Sequence, residues 1–292
     1  MHKKADVMMD TKIGCLLLNF NDYSTTKENA DILRKYPIFD SIVIVDNCST
    51  DGSYDLLKKR YKSDKHIFVK MTNKNGGYGY GNNYGIKFLK NKLNTKYVVV
   101  SNPDAFFTNE MVLRLVHFMK CKNAAVVSGV QRINEKNIHD KAWKVPTVLS
   151  YTLSDTKLAH FINKYNYYTD DYFNTTISKV DCVPGAMFLV DADKFLKVGG
   201  FDEEMFLFCE ETTLGYKLKK QNYTTFLVND VFYDHRHSTS INRSLAKVAQ
   251  QYQLIYKNRL LFMKKYLHAS NLALKIAKTL YDHKLKKIRG KQ

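Results

Sequence analysis

The sequence predicts an α/β fold, a mostly parallel sheet with helices on both faces, and three observations carry that prediction. Short β-branched runs alternate with helical stretches from residue 13 to about 130. The spacing leaves room for one crossover helix between successive runs, which is what parallel strands require. Two of the runs, SIVIVD (41–46) and YVVVSNPD (97–104), deliver an aspartate at or just past the strand's carboxyl end, where sheets of this kind bind ligands.

IGCLLLNF (13–20) reads as the first strand, and Ser24 or Thr25 of the polar stretch after it can cap a helix running to about Arg34, before Pro37. SIVIVD is the second strand, and STDGSYDLLKKRY (49–61) caps and starts the next helix. HIFVKM (66–71) is a third strand, followed by a glycine-rich loop and a helix over YGIKFLKNKL (84–93). YVVVSN is the fourth strand, NEMVLRLVHFMK (109–120) an amphipathic helix and AAVVSGV (124–130) the fifth strand. Residues 131–180, rich in Asn, Asp, Lys and Tyr, break the rhythm and read as an irregular insertion on the acceptor side. CVPGAMFLV (182–190) restores a strand, ETTLGYKLKKQ (211–221) a helix and YTTFLVNDVFY (223–233) one or two more strands. From about Asn242 the pattern is helical to the end. The expected division is a catalytic domain over 1–240, with halves meeting near 130, and a basic helical segment over 241–292.

Forty-six Lys plus Arg against 28 Asp plus Glu give a formal net charge of +18, which predicts an anionic partner: nucleic acid, a phosphorylated small molecule or a membrane surface. A hydrophobic fraction of 45% excludes wholesale disorder. The five cysteines are scattered, with no CxxC pair, so reduced thiols are expected rather than a disulfide framework or a zinc knuckle. The N-terminus lacks an apolar core of signal-peptide length, and no run is long enough to span a bilayer.

Several stretches can carry chemistry. Asn102-Pro103-Asp104 is either an ordinary turn or a strand tip built to hold Asp104 still in a cleft. In IVIVDNCSTDGS (42–53) a helix cap accounts for Ser49 to Asp51 but leaves Asp46 free to accept hydrogen bonds from a base or ribose. NGGYGYGNNYG (75–85) holds five of the 13 glycines, suited to close backbone approach to a ligand or to a tight loop, and it fits no phosphate-loop spacing. In GGFDEEMFLFCEETTLGYKLKK (199–220) the apolar MFLFC points to a buried segment that delivers Glu210 and Glu211 into a cleft, where a carboxylate can act as general base. His235 and His237 would share one face of a strand beside Asp234, an arrangement that suits a metal or merely a surface.

In this order, LLLNFN, IVIVDNCSTDGS, NGGYGYGNNYGI, VVVSNPD, CVPGAMFLV, GGFDEEMFLFCEE, DHRHSTS and YQLIYKNRLLFMKKY resemble the inverting family 2 glycosyltransferases of GT-A fold, in particular their bacterial rhamnosyltransferase-like branch. The resemblance spans about residues 13–265. It implies transfer of a sugar from a nucleoside-diphosphate donor, dTDP-rhamnose or a UDP-sugar, to a hydroxyl of a glycan or lipid-linked oligosaccharide in bacterial surface polysaccharide synthesis. By position it implies that Asp46 holds the base, framed by Asn19 and Asn83. Asp104 would bind a divalent metal, Mn²⁺ or Mg²⁺, with His235 as second ligand. Glu211 would be the catalytic base and Glu210 its close competitor. Asn102, Gly185, Ala186 and Trp143 would serve donor or acceptor binding. This sequence departs from the family in having Glu-Glu for the usual Glu-Asp pair, Thr213 for an acid, and Lys257-Asn258-Arg259 for Arg-Asn-Arg.

Residues 271–292 place Leu274, Ala277, Tyr281, Leu285 and Ile288 on one helical face with lysines on its flanks. That stripe can lie on an anionic bilayer or pack on the domain. The expected location is cytoplasmic, peripheral on the inner face of the plasma membrane. The rival readings are a basic nucleic-acid-binding protein, disfavoured by the acidic clusters and the lack of any recognised module; a sugar-1-phosphate nucleotidyltransferase, which lacks its basic glycine-rich loop here; and a degenerate, non-catalytic glycosyltransferase relative. No nucleic-acid partner is expected.

Overall fold

The structure is a computed structural model that describes residues 11–133, 136–137, 141–236 and 245–290. The first half is a run of parallel strands and crossover helices: β1 (Ile13–Asn19), α1 (Tyr23–Leu33), β2 (Ser41–Asp46), α2 (Ser53–Arg60), β3 (Ile67–Met71), α3 (Tyr78–Leu93) and β4 (Tyr97–Ser101). Every residue of β2 and β4 is buried, which is why these strands read as unbroken apolar runs rather than alternating ones. After the short β5 (Ala105–Phe106) come α4 (Asn109–Cys121) and β6 (Val126–Ile133). The chain continues through β7 (Lys136–Asn137), α5 (Val148–Leu153), α6 (Ala159–Asn166), a 3₁₀ turn at 170–173, β8 (Ile177–Val180) and β9 (Met187–Asp191). The rest is α7 (Ala192–Lys197), α8 (Glu210–Lys220), β10 (Thr225–His235), α9 (Leu245–Lys265) and α10 (Asn271–Arg289).

The strands form one sheet in the order β3-β2-β1-β4-β9-β6-β10-β5, with β7 and β8 beside β6 and β10. Strands β3, β2, β1 and β4 are parallel. Beyond them the sheet is mixed, because β9 runs antiparallel to both β4 and β6. Two apolar clusters cover its faces, one under α1 and α4, the other under α3, α7 and α8. The 131–180 insertion therefore contains helices α5 and α6 and the short strands β7 and β8. Residues 225–233 belong to a single long strand whose register shifts between Val228 and Phe232.

The glycine-rich stretch is not mainly a loop. Helix α3 begins at Tyr78, so Gly79, Gly81 and Gly85 lie inside it. A Cβ on Gly81 would overlap Leu18, one on Gly85 would overlap Leu16, and one on Gly79 would come within 2.9 Å of the Phe201 Cβ. These glycines let α3 lie close against the sheet, and that packing outweighs their cost inside a helix.

The stripe on α10 is taken. Ala277, Tyr281 and Leu285 are buried in a cluster with Tyr256 and Met263 of α9, and Tyr281 stacks on Tyr256 with centroids 4.2 Å apart. Of the two readings of this helix, packing on the domain is the one observed, and its lysines face outward. Among the described residues no helix is long and apolar enough to cross a membrane.

Candidate active site

The chemistry-bearing side chains gather where β4, the 182–186 connection and the start of α8 meet. At the tip of β4, buried Asn29 of α1 donates to the carbonyls of Pro103 (2.9 Å) and Ala105 (2.8 Å), fixing the turn on both sides of Asp104. The antiparallel pairing of β10 with β5 sets His235 opposite Ala105, and its Nε2 lies 3.0 Å from Asp104 Oδ1. The other ring nitrogen, Nδ1, is 3.1 Å from the Gln131 amide, whose Oε1 accepts from the buried Tyr233 hydroxyl at 3.1 Å. The Gln131 amide on Nδ1 fixes the imidazole orientation, and binding of a metal through Nε2 would move the ring proton to Nδ1 and turn the Gln131 oxygen toward it. A carboxylate oxygen and an imidazole nitrogen side by side form a donor set that fits a divalent ion. Among the described residues no group of three or more His, Cys, Asp or Glu could hold one by itself, so bound substrate or water would have to complete the shell. The expected contribution of His237 lies outside the described residues.

The same turn leads to the carboxylate pair. Asn102 N–H donates to the Ala186 carbonyl at 2.8 Å, and the Tyr78 hydroxyl donates to the Gly185 carbonyl at 2.6 Å. A Cβ on Gly185 would sit 2.6 Å from Glu211 Oε1, so the base candidate occupies the space that glycine leaves open. Burial raises the Glu211 carboxyl above the ordinary glutamate range, while the backbone N–H groups of Glu211 and Gly185 oppose the rise. Glu210 is 2% exposed, and among the described residues its Oε2 has no hydrogen-bond partner. Burial and then the charge of Glu211 push Glu210 up to about 8. Backbone N–H groups of Glu210 and Phe208 oppose the rise at Glu210 too, and its carboxyl nonetheless holds a proton at neutral pH. Trp143 joins the edge of the site, its Nε1 donating to Thr212 Oγ1 at 3.0 Å. Thr213, where the family pattern puts an acid, is fully buried and bonds the Cys209 carbonyl through its hydroxyl at 2.8 Å. A carboxylate there would be buried against a carbonyl.

Three side chains expected at the nucleotide are held by hydrogen bonds within the protein. Asp46 is fully buried, accepting from Asn19 Nδ2 at 2.6 Å on one oxygen and from Ser49 N–H at 2.8 Å on the other. Asn19 in turn accepts from Thr26 Oγ1 at 2.7 Å. Asn83 donates to the Phe201 carbonyl (3.0 Å) and to Glu203 (2.8 Å), and accepts from Phe201 N–H (2.9 Å). These bonds fix the three side chains at the ends of β1 and β2 and within α3. Asn29, Tyr78 and Gln131 were missed by the sequence reading. Tyr78 sat within the glycine-rich stretch, and the other two carried no local signal.

Gly185 offers a clean test because it needs no left-handed backbone conformation. Gly185→Ala is expected to displace Glu211 and lower kcat by about 100-fold, with the fold retained by circular dichroism. Unchanged kcat would mean that the Glu211 position is not critical.

The sequence profile of the glycosyl transferase family 2 matches residues 18–196. The chain is 26% identical over 199 residues to the rhamnosyltransferase WbbL of Escherichia coli (strain K12), covering 67% of this chain and 74% of that protein. It is 24% identical over 212 residues to the N-acetylglucosaminyl-diphospho-decaprenol L-rhamnosyltransferase of Mycobacterium tuberculosis (strain CDC 1551 / Oshkosh), covering 68% of each. Its fold is similar to that of the mannosyltransferase PcManGT from Pyrobaculum calidifontis, solved in complex with GDP-Man and Mn²⁺. The TM-score there is 0.58 at 13% identity, over 95% of this chain and 79% of that one.

Proposed function

The chain belongs to glycosyl transferase family 2, on its rhamnosyltransferase-like side, and from that premise we propose that it inverts the anomeric centre of a sugar as it moves it from a nucleoside diphosphate to a hydroxyl of a lipid-linked glycan. As a glycosyltransferase of GT-A fold it acts on a nucleotide sugar and a glycan acceptor. The observation that carries the rest is the short path from one carboxylate to the other: Asp104 lies in the turn whose Asn102 is tied to Ala186, and Gly185 beside it admits Glu211.

Glu211 takes the proton of the acceptor hydroxyl as that oxygen attacks the face opposite the leaving group. Asp104 and His235 would hold a divalent ion, which when bound neutralises the charge gathering on the diphosphate. Asn29 and Gln131 keep those two ligands aimed at one point before substrate arrives. Gly185, Ala186 and Asn102 form the floor between donor and base, and Trp143 the acceptor edge. A rhamnosyl donor is favoured by the names of the relatives, with dTDP-rhamnose the form the sequence resemblance implies, and a diphospho-lipid is the acceptor favoured by the mycobacterial one. We keep 1–240 as the catalytic unit and read 241–292 as its buttress.

A thermal-shift panel of nucleoside diphosphates and nucleotide sugars tests the reading, since a ligand of the native state raises Tm. At least one nucleotide sugar is expected to stabilise the protein, and more so with Mn²⁺. No response to any donor would count against the assignment.

The outer face of α10 carries Lys275, Lys278, Lys286 and Lys287, all exposed, beside Leu272 and Ile276. With the apolar stripe occupied, we read membrane contact here as chiefly electrostatic, placing the protein on an anionic inner leaflet. Binding to anionic vesicles is expected to fall to the level of neutral vesicles in about 1 M salt, where the screening length is about 3 Å. Salt-resistant binding would point to insertion instead.

A further inference from the structure

We propose that Asn258 is a positioning residue that sets the carboxylate pair by holding the backbone just before it in a left-handed conformation, an inference that rests on Glu211 being the base. Phe208 and Cys209 have φ of 72° and 69°, and neither is glycine. Two consecutive side-chain-bearing residues in this region persist only where surrounding contacts over-determine them. Glu210 follows at once and opens α8, so the conformation of these two residues decides where both carboxyl groups point.

The contacts that over-determine the turn come from outside it. The Phe206 carbonyl accepts from Tyr78 N–H at 3.0 Å. The next two carbonyls, Leu207 and Phe208, both accept from the single amide nitrogen of Asn258, at 2.7 and 3.1 Å. Three successive carbonyls are thus captured by groups distant in sequence. Asn258 is 1% exposed, and among the described residues its Oδ1 has no hydrogen-bond partner. A buried amide with an idle oxygen gains chiefly through its two N–H bonds, which is the duty of a donor. Aspartate has nearly the same shape but, ionised, cannot donate.

Helix α9 is fixed in turn. Arg259 donates to Asp155 at 2.6 Å and Ser154 at 2.8 Å, and Tyr266 donates to Asp202 at 2.6 Å. The described part of the segment beyond residue 240 thereby helps to complete the active site through Asn258.

The test compares Asn258→Ala, Asn258→Asp and the double variant Asn258→Ala/Cys209→Gly in the full chain, with fold checked by circular dichroism and Tm. Both single variants are expected to lose about 100-fold in kcat, with the KM for the nucleotide sugar changed by no more than about twofold. Glycine enters the left-handed region freely, so the double variant is expected to recover about tenfold of the loss. General destabilisation would not be mended by adding glycine. Asn258→Asp with undiminished kcat overturns the positioning role, as does a folded double variant that recovers nothing. Should Asn258→Ala fail to fold, the aspartate variant decides alone. Glu211→Gln with undiminished kcat would sink the base assignment itself, whereas the Asn258 results bear only on how the base is held.

Discussion

Glu211→Gln is expected to lower kcat by about 10²–10⁴-fold, the range a general base contributes, while Glu210→Gln keeps most of the rate. The amide preserves shape and hydrogen bonding at either position but cannot accept the acceptor's proton. The pH profile separates the two acids further. Burial raises Glu211, so the acid limb of wild-type kcat/KM should lie above the ordinary glutamate range, with rate rising as Glu211 loses its proton. Burial, and then the charge of Glu211, push Glu210 up to about 8. Glu210→Gln should therefore leave the acid limb in place and abolish a second inflection near pH 8. Stability follows the same acid. Its folded pKa lies above the unfolded one, so the native state binds the proton more tightly and stability is lost as pH rises from about 4.5 to about 8. The Tm of Glu210→Gln should accordingly fall less than wild type across that window. A reversed pattern, with Glu210→Gln inactive and Glu211→Gln active, would exchange the roles.

How much of this could be read from the residues depends on whether the deciding contacts are local. Strand β2 was legible to the residue at 41–46, because a strand buried on both faces advertises itself by composition. The 182–190 strand was not: only Met187–Asp191 pairs, and Cys182 joins Trp143 in an isolated bridge. An apolar run looks the same whether it pairs in a sheet or threads beneath a helix, as the chain does at Cys182 against Gly215. Nor does sequence reveal that β9 enters between β4 and β6 in the opposite direction. Asp46 and Asn19 look like ligand contacts because both end strands. The register that sets them side by side, and so satisfies each with the other, joins residues 27 apart. The acids at 210–211 were legible because MFLFC marks the segment as buried, but the left-handed turn that aims them, and the asparagine 50 residues on that holds it, are tertiary facts.

Asp104→Ala is expected to lower kcat/KM by about 10²–10³-fold, from the several kcal/mol that a bound cation contributes to a developing diphosphate charge. The same variant should abolish whatever part of nucleoside-diphosphate stabilisation depends on Mn²⁺. The scaffold around Asp104 makes this interpretable. Asn29 binds the carbonyls on either side of it, Arg236 N–H donates to its own carbonyl at 2.8 Å, and Asn102 is tied to Ala186. None of these bonds uses the Asp104 side chain, so the turn keeps its shape when the carboxylate is cut away. Among the described residues the side-chain bond lost is the 3.0 Å approach of His235 Nε2, and that ring remains held by Gln131. A fall in activity with unchanged Tm in the absence of ligand would therefore report charge at the strand tip rather than unfolding. His235→Ala should weaken the Mn²⁺ response less, because the carboxylate that carries the negative charge stays in place. If Asp104→Ala kept both full transfer and the Mn²⁺-dependent shift, this carboxylate would be a turn residue only, and the leaving diphosphate would have to be neutralised by other groups.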